Sequence, residues 1–298
     1  MTHASERGAV LVEFALVALT LSLLLAATIE FGRMLFYAQA LQDAARVFAR
    51  ELSVTPLAAD ATFDTALASE AVIERIYDRT RLVVDVSGWT DADYESYIHS
   101  PDLPIVNRAL LPLMIIDRPD EDGPTLWRYP GALLTDTTSP TGVTVGIPRI
   151  DRDPGTGAQT ITWVPVVEEI NPGHFGMVAG VSCIAPPCGV VAVRLNYPYQ
   201  AGAISAHIPN PDGPAEPTIG NPVDVDETLP QTNTPADVYG ASVSLMPEAP
   251  EDAPFPLYPV YAGRYGLGQQ TAYGGRIVRP FRRLLSAQVI YRREVIGD

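Results

Sequence analysis

The feature that most constrains this chain is an apolar run near its N-terminus. The run extends from Ala9 to Ile29 and contains one ionisable residue, Glu13. At about 1.5 Å of rise per residue, a helix of about 21 residues matches the hydrocarbon core of a bilayer. It is longer than the apolar core of a secretory signal, which has about 7–15 residues. The run therefore predicts a transmembrane helix at residues 9–29.

Glu13 distinguishes this run from an ordinary membrane anchor. A carboxylate near the centre of a bilayer costs about 2–3 kcal/mol and therefore requires a cationic partner. Cleavage after Gly8 would supply one, because it would turn Ala9 into an N-terminal ammonium about one helical turn from Glu13. Glu13 of one subunit would then face the Ala9 amine of its neighbour and set the axial stagger between the two. A plain anchor explains the length of the run but leaves Glu13 unexplained.

Residues 7–50 resemble the TadE-like pseudopilins of tight adherence (Tad) pilus systems. The matching segments are Arg7-Gly8, Glu13-Phe14-Ala15-Leu16, Ile29-Glu30-Phe31-Gly32-Arg33, Ala38-Gln39-Ala40-Leu41-Gln42-Asp43-Ala44-Ala45-Arg46 and Arg50. The resemblance implies that residues 1–8 are a leader, that Gly8 and Ala9 flank the processing site, and that Glu13 and Phe14 act in assembly. Family members often carry a proline midway through the membrane run, which is absent here.

The resemblance also implies partners, function and location. The partners would be a prepilin peptidase, the major pilin and other pseudopilins, the inner-membrane secretion platform and membrane lipid. The function would be non-enzymatic: pilus assembly, or a minor place in the pilus, through helix packing. The chain would cross the inner membrane once, with a cytoplasmic N-terminus and a periplasmic or extracellular C-terminal domain. The alternative is a single-pass anchored periplasmic binding or enzymatic domain that uses the helix only as a tether.

The helical pattern continues beyond the membrane run, over residues 30–53. Apolar residues recur there at three- and four-residue steps: Phe31, Met34, Leu35, Ala38, Leu41, Ala45, Phe48 and Leu52. Ser53 to Pro56 ends the pattern. The stripe either packs against other subunits or lies on the globular part of its own chain, and the sequence leaves both open.

The rest of the chain predicts an α+β fold: the long transmembrane helix continues into an exported domain, residues 57–207, with a small antiparallel sheet and long proline-rich loops. With 298 residues, 47% of them hydrophobic, the chain can form one core of ordinary size. The pattern predicts a helix at 60–78, an irregular region at 89–140 that includes the apolar piece 110–116, and strands at 81–86, 142–147, 159–167, 177–182 and 189–197. Pro198 is expected to end the last strand. Segments 177–182 and 189–197 are expected to form a hairpin.

The last ninety residues divide by charge. Residues 208–256 are acidic and rich in proline, which predicts an exposed and partly disordered loop. Residues 257–298 are rich in arginine and contain a predicted closing strand at 286–292. The basic segment either docks on the acidic loop or is simply solvated, and solvation is the preferred interpretation.

The remaining chemistry points away from catalysis. The net charge of -15 argues against nucleic-acid binding. Cys183 and Cys188 predict a disulfide if the domain is exported. No phosphate-binding glycine loop, nucleophile elbow or zinc-protease motif occurs. Acidic segments at 117–123 and 151–155 lack the full spacing of a calcium loop, so we predict no metal and no cofactor.

Overall fold

A computed structural model describes residues 3–58, 60–117, 124–170, 182, 184, 189–209, 229–246, 271–273 and 276–294. Side chains are described from Val10 onward within these ranges, except in 201–209 and 271–282.

The described residues form six α-helices, two short 3-10 turns and eleven strands. The helices are α1 (His3–Val54), α2 (Phe63–Leu67), α3 (Glu70–Arg75), α4 (Asp91–Ile98), α5 (Ile105–Leu110) and α6 (Pro235–Tyr239), and the 3-10 turns are Arg79–Leu82 and Leu111–Leu113. The strands are β1 (Val83–Asp85), β2 (Ile115–Asp117), β3 (Leu126–Arg128), β4 (Ala132–Asp136), β5 (Val143–Arg152), β6 (Gln159–Val164), β7 (Val167–Glu169), β8 (Val190–Pro209), β9 (Val243–Leu245), β10 (Thr271–Tyr273) and β11 (Arg276–Arg292).

Helix α1 is one continuous element of 52 residues, about 78 Å long. It ends at Val54, two residues before Pro56, as expected from the bias of the residue before proline against helical geometry. Its C-terminal half packs on the domain through residues that are at most 1% exposed: Leu41, Ala44, Ala45, Phe48, Ala49 and Leu52. The second half of α1 is therefore part of the domain's own core.

The sheet that α1 packs on has the strand order β10-β11-β8-β7. Strands β8 and β11 pair antiparallel from Val190 opposite Arg292 to Pro209 opposite Arg276. The register shifts between Pro280 and Arg282, where the paired residues of β8 are Ser205 and Gln200. The longest strand pair in the described part of the chain thus runs alongside α1.

Two further antiparallel sheets complete the domain. One has three strands in the order β1-β3-β2, and the other has four strands in the order β6-β5-β4-β9. The main hydrophobic cluster joins α1 to residues of all three sheets. A second cluster, on the sheet β6-β5-β4-β9, is formed by Ala132, Leu134, Ile161, Trp163 and Val243.

The C-terminal strand is tied to the end of α1. The Glu294 amide donates to the Ser53 carbonyl at 3.1 Å. The Arg293 guanidinium is buried and donates to the carbonyls of Leu57 at 2.7 Å and Ile184 at 3.2 Å. Arg293 was expected to be solvated, and this was wrong because its donors satisfy backbone carbonyls inside the fold.

The predicted fold class is confirmed: a long apolar helix is followed by an α+β domain with small antiparallel sheets. Strands predicted at 142–147 and 189–197 are present and longer than expected, as β5 and β8, and the closing strand is β11. The strand predicted at 159–167 divides into β6 and β7.

Three local predictions were wrong and one was correct only in part. The helix expected at 60–78 is two short helices, α2 and α3. The strand expected at 81–86 is present as β1 at 83–85, but residues 81–82 belong to a 3-10 turn. The region 89–140 is not irregular, since it contains α4, α5, β2, β3 and β4. Its apolar piece 110–116 completes α5, forms a 3-10 turn and enters β2.

Pro198 does not end β8, although proline cannot donate to a strand ladder. Strand β7 pairs only with residues 193–195, so at Pro198 the only described strand beside β8 is β11. A residue with a strand on one side only can lack a backbone donor without losing a ladder hydrogen bond. Of the expected hairpin partner at 177–182, all but Ser182 lies outside the described residues.

Part of the acidic segment 208–256 is structured. Residues 229–246 form α6 and β9, and β9 pairs with β4 through Val243 opposite Asp136. The Trp163 indole donates to Gln231 at 2.7 Å, which ties this segment to β6. Ile208 and Pro209 end β8, and residues 210–228 and 247–256 lie outside the described residues.

Candidate assembly surface on the long helix

Within the described residues, one helix is long and apolar enough to cross a membrane, and it is α1 from Val10 onward. None of its most apolar stretch is buried by the rest of the chain. The hydroxyls of Thr20, Ser22 and Thr28 donate to carbonyls four residues earlier, at 2.8–2.9 Å. These internal bonds satisfy the hydroxyls without water, as a lipid environment requires. The helix therefore fits a membrane anchor.

The four residues predicted to act in processing and assembly all lie on this helix. Gly8 and Ala9 are in its first two turns, and Glu13 follows about one turn later. Glu13 is exposed, and no described residue forms a hydrogen bond or ion pair with it. Phe14 is 70% exposed. The arrangement leaves Glu13 and Phe14 available to another molecule.

A second acidic residue, Glu30, lies at the point where α1 meets the domain. It is only 4% exposed, although it directly follows the apolar run. The Tyr199 hydroxyl lies 2.7 Å from Glu30 Oε2, to which it donates, and 3.1 Å from the Glu30 carbonyl oxygen. Arg33, one turn later, pairs with Glu30 Oε1 at 3.3 Å. We call Glu30, Arg33 and Tyr199 the exit cluster.

Aromatic side chains enclose the exit cluster on the domain side. The Tyr37 ring lies 5.0 Å from the Tyr197 ring and 5.8 Å from the Tyr199 ring, measured between centroids. The Arg33 guanidinium carbon lies 6.0 Å from the Tyr37 centroid. Tyr129 stacks edge-on against Tyr197 at 5.5 Å and donates to the Asn196 carbonyl. These contacts fix β8 against α1 at the end of the apolar run.

In the exit cluster, a protonated tyrosine and an arginine both stabilise the charge of Glu30. Burial raises the pKa of Tyr199, and the hydrogen bond to the negatively charged Glu30 raises it further. The tyrosine therefore stays protonated and remains a donor to the carboxylate. Arg33, which is 44% exposed, supplies the compensating positive charge from the solvent side.

Sequence reasoning gave no role to Glu30. The segment 29–33 was quoted only as part of a family resemblance, and nothing in the sequence links it to Tyr199, which is 169 positions away. The available signal was an acid at the end of an apolar run, followed three residues later by an arginine. Such a pair can be satisfied by solvent, so burial by a distant strand was not predictable from it.

Cys183 and Cys188 lie outside the described residues, so their predicted disulfide remains a prediction. Two of their neighbours are described. The Ser182 hydroxyl accepts from the Phe63 amide at 2.9 Å and donates to Glu169 at 3.0 Å. Ile184 is buried and its carbonyl accepts from Arg293.

The described acids of segments 117–123 and 151–155, namely Asp117, Asp151 and Asp153, have structural partners. Asp117 pairs with Arg128 at 2.7 Å, and both side chains are buried. Asp151 pairs with Arg149 at 2.9 Å. Asp153 accepts from the amides of Thr156 and Gly155, which lowers its pKa. Among the described residues, no cluster of three or more potential metal ligands occurs.

One comparison with known proteins, that with family models, supports this description of α1. Neither a curated protein nor a solved structure matches the chain. The model of one family, described as TadE-like protein, matches residues 8–50. These residues include Glu13, the exit-cluster members Glu30 and Arg33, and most of the stripe that packs on the domain. The TadE-like resemblance predicted from the sequence is therefore confirmed, and residues 8–50 are the TadE-like region of this chain.

Proposed function

We propose that this protein is a non-enzymatic, pseudopilin-like membrane protein that acts in Tad-type pilus assembly or as a minor pilus component. Its work is helix packing. The first half of α1 associates with other pilins or with the inner-membrane platform, and the domain behind it holds that helix at a fixed position and orientation.

One observation carries this proposal: no residue in the most apolar stretch of α1 is buried by its own domain, yet this part of the helix contains Glu13. A tether needs no carboxylate in its membrane segment, where the charge is unfavourable by about 2–3 kcal/mol near the bilayer centre. A subunit that pairs Glu13 with a neighbour's cation does need it. The match of residues 8–50 to the TadE-like family supports the second interpretation.

The proposal includes processing and orientation. A prepilin peptidase cleaves after Gly8, and the new Ala9 ammonium pairs with Glu13 of an adjacent subunit. The N-terminus begins on the cytoplasmic side of the inner membrane, and the domain lies in the periplasm or outside the cell. There Cys183 and Cys188 form a disulfide.

The processing step is tested by the mass of the N-terminal peptide from protein isolated from native membranes. A mature chain that begins at Ala9 is expected. A chain that keeps Met1 or Thr2 would contradict processing and remove the cation proposed for Glu13.

The assembly step is tested by comparing Glu13→Ala with Glu95→Ala in cells that lack the wild-type protein. Glu95 is an exposed acid on α4, so its loss controls for a change in charge outside the membrane segment. We expect Glu13→Ala to reduce surface pili by about tenfold, the effect of about 1.4 kcal/mol, because the Ala9 ammonium loses its partner near the membrane edge, where an unpaired charge costs less than at the bilayer centre. We expect Glu95→Ala to leave pili unchanged. Normal piliation with Glu13→Ala would favour the anchored domain instead.

A further inference from the structure

The side of α1 that faces away from the domain carries an apolar patch just beyond the predicted membrane span. At about 100° per residue, Gly32 lies roughly opposite the buried residues Glu30 and Phe48. Around Gly32, large side chains remain exposed: Phe31 by 57%, Leu35 by 67% and Phe36 by 54%. We call Gly32 with Phe31, Leu35 and Phe36 the outer patch.

The outer patch does not lie where lipid tails would cover it. It follows the predicted span at 9–29 and is level with the exit cluster, in which Glu30 and Arg33 form an ion pair. A charged pair marks the end of the apolar zone, because such groups are unfavourable deeper in the bilayer. Exposed aromatic and leucine side chains beyond that level are available for a protein contact.

Gly32 is the second observation that points to a protein contact. A glycine inside a helix costs about 0.5–1 kcal/mol relative to alanine. A Cβ atom built on Gly32 has nothing within 4 Å, so no contact within the described part of the chain requires a glycine there. With Leu35 and Phe36 one turn further along, the missing side chain leaves a notch that can accept a large side chain from another helix.

The charges beyond the outer patch fit a second copy of the same helix. Asp43 and Arg46 are each about 60% exposed and lie 3.2 Å apart on the face that the domain leaves free. If two parallel copies of α1 are offset by about four residues, Asp43 of one copy lies next to Arg46 of the other. Such an exposed pair adds little affinity, but it favours one register over others.

The same offset brings the notch and its filling side chain together. When residue n of one copy is level with residue n+4 of the other, Gly32 lies opposite Phe36. The offset, about 6 Å along the axis, also makes Ala9 of one copy level with Glu13 of the other. At about 100° per residue, Glu13 and Ala9 lie about 100° and 140° around the helix from Gly32, so the Ala9–Glu13 pair uses a different face of α1. Phe14 lies on the same helical row as Gly32, since the two are eighteen residues, or about five turns, apart.

We propose that the outer patch is a self-association site, in which Phe36 of one copy packs into the notch at Gly32 of a second, parallel copy offset by about four residues. The parallel arrangement rests on the proposed function. The offset, the identity of the occupant and the contact itself rest on the notch, the exposed side chains and the charge pattern of this helix.

The contact is tested first by disulfide cross-linking of the full-length chain in membranes. Two differently tagged copies carry Gly32→Cys and Phe36→Cys, each in a background with Cys183→Ser and Cys188→Ser. A disulfide needs Cβ atoms about 3.5–4.5 Å apart, whereas identical positions are about 6 Å apart along the axis under the proposed offset. The mixed 32/36 pair should therefore cross-link several-fold more than 32/32 or 36/36. Met34→Cys, which packs against the domain, is the control and should not cross-link.

A second measurement keeps both native cysteines. A Cβ atom at position 32 has nothing within 4 Å, and Gly32→Leu replaces an exposed glycine with a better helix former, so the fold should be at least as stable as in the wild type. It fills the notch, however, and should weaken co-purification of two tagged copies by about tenfold, the effect of about 1.4 kcal/mol of steric conflict. Gly32→Ala should have a smaller effect.

The outcomes separate this inference from the proposed function. Equal cross-linking of mixed and identical pairs, or wild-type self-association of Gly32→Leu, would overturn the self-association site. If Glu13→Ala still abolished pili in that case, the proposed function would stand and the helix would pack on a different protein. If Glu13→Ala had no effect while Gly32→Leu lost self-association, the contact would stand without the proposed function.

Discussion

Deleting the Tyr199 hydroxyl should loosen the domain from α1, because that hydroxyl is a principal hydrogen-bond donor to Glu30. Both side chains are almost fully buried, at 2% and 4% exposure, and the bond between them is 2.7 Å long. Hydrogen bonds to charged groups contribute about 1.5–3 kcal/mol to stability. Tyr199→Phe should therefore lower the free energy of unfolding by about that amount.

A double-mutant cycle isolates this contact from the loss of packing. Glu30→Ala alone should cost more than Tyr199→Phe, since it also removes a buried side chain and its ion pair with Arg33. In the double variant the Tyr199→Phe change should cost little, which gives a coupling energy of about 1.5–2.5 kcal/mol. The measurement is urea unfolding of the full-length chain in detergent, followed by tyrosine and tryptophan fluorescence.

Tyr291→Phe is the matched control, because its hydroxyl lies near the end of β11 on a ring that is 37% exposed. Its stability should change by less than about 0.5 kcal/mol. If the effects of Glu30→Ala and Tyr199→Phe simply added, with a coupling below about 0.5 kcal/mol, the exit cluster would not be what ties the domain to the helix.

Three further expectations concern the domain. Burial raises the pKa of Tyr77, Tyr199 and Tyr239, so stability should be nearly constant between about pH 7 and 10 and fall by up to about 4 kcal/mol per pH unit above it, because the unfolded chain loses these three protons first. Urea unfolding at several alkaline pH values checks this, and a flat profile would contradict it. Arg128→Ala removes the buried cation that pairs with Asp117 and should cost about 3–5 kcal/mol in chemical unfolding, whereas a loss below about 1 kcal/mol would show that the pair contributes little. Gly131→Ala should lower the melting temperature, because φ is 142° and a Cβ would lie 2.6 Å from a backbone oxygen; unchanged melting would show that the turn can relax.

The sequence was most informative where the pattern is long. The apolar run and the heptad-like spacing after it predicted α1 almost to its last residue, since a proline and a periodic stripe define such a helix locally. The stripe itself divides in the structure: Leu41, Phe48 and Leu52 are buried, whereas Phe31 and Leu35 are exposed. Hydrophobicity alone cannot tell which apolar side chains face the chain's own domain.

The sequence was least informative where elements are short or pair over long distances. Strands β2 and β3 have three residues each, too few for alternation to be recognised among frequent prolines. Strand β8 was assigned a neighbour across the cysteine loop, but its longest partner is β11, some ninety residues later. Pairing between distant strands depends on which surfaces remain unburied after the other elements have packed. A local sequence pattern does not contain this information.

The position of β11 determines when this protein can fold. It lies between β8 and β10, contacts α1, and is followed by the two residues that bond to Ser53 and Leu57. The first helix therefore has no complete surface to pack on until residues 276–294 have been made and delivered. At a synthesis rate of about 5–20 residues per second, the helix waits for on the order of ten seconds or more while its buried stripe is uncovered. During that interval chaperones and other helices can bind the stripe. The order of synthesis therefore allows contacts with other molecules to form before the contacts between α1 and its own domain.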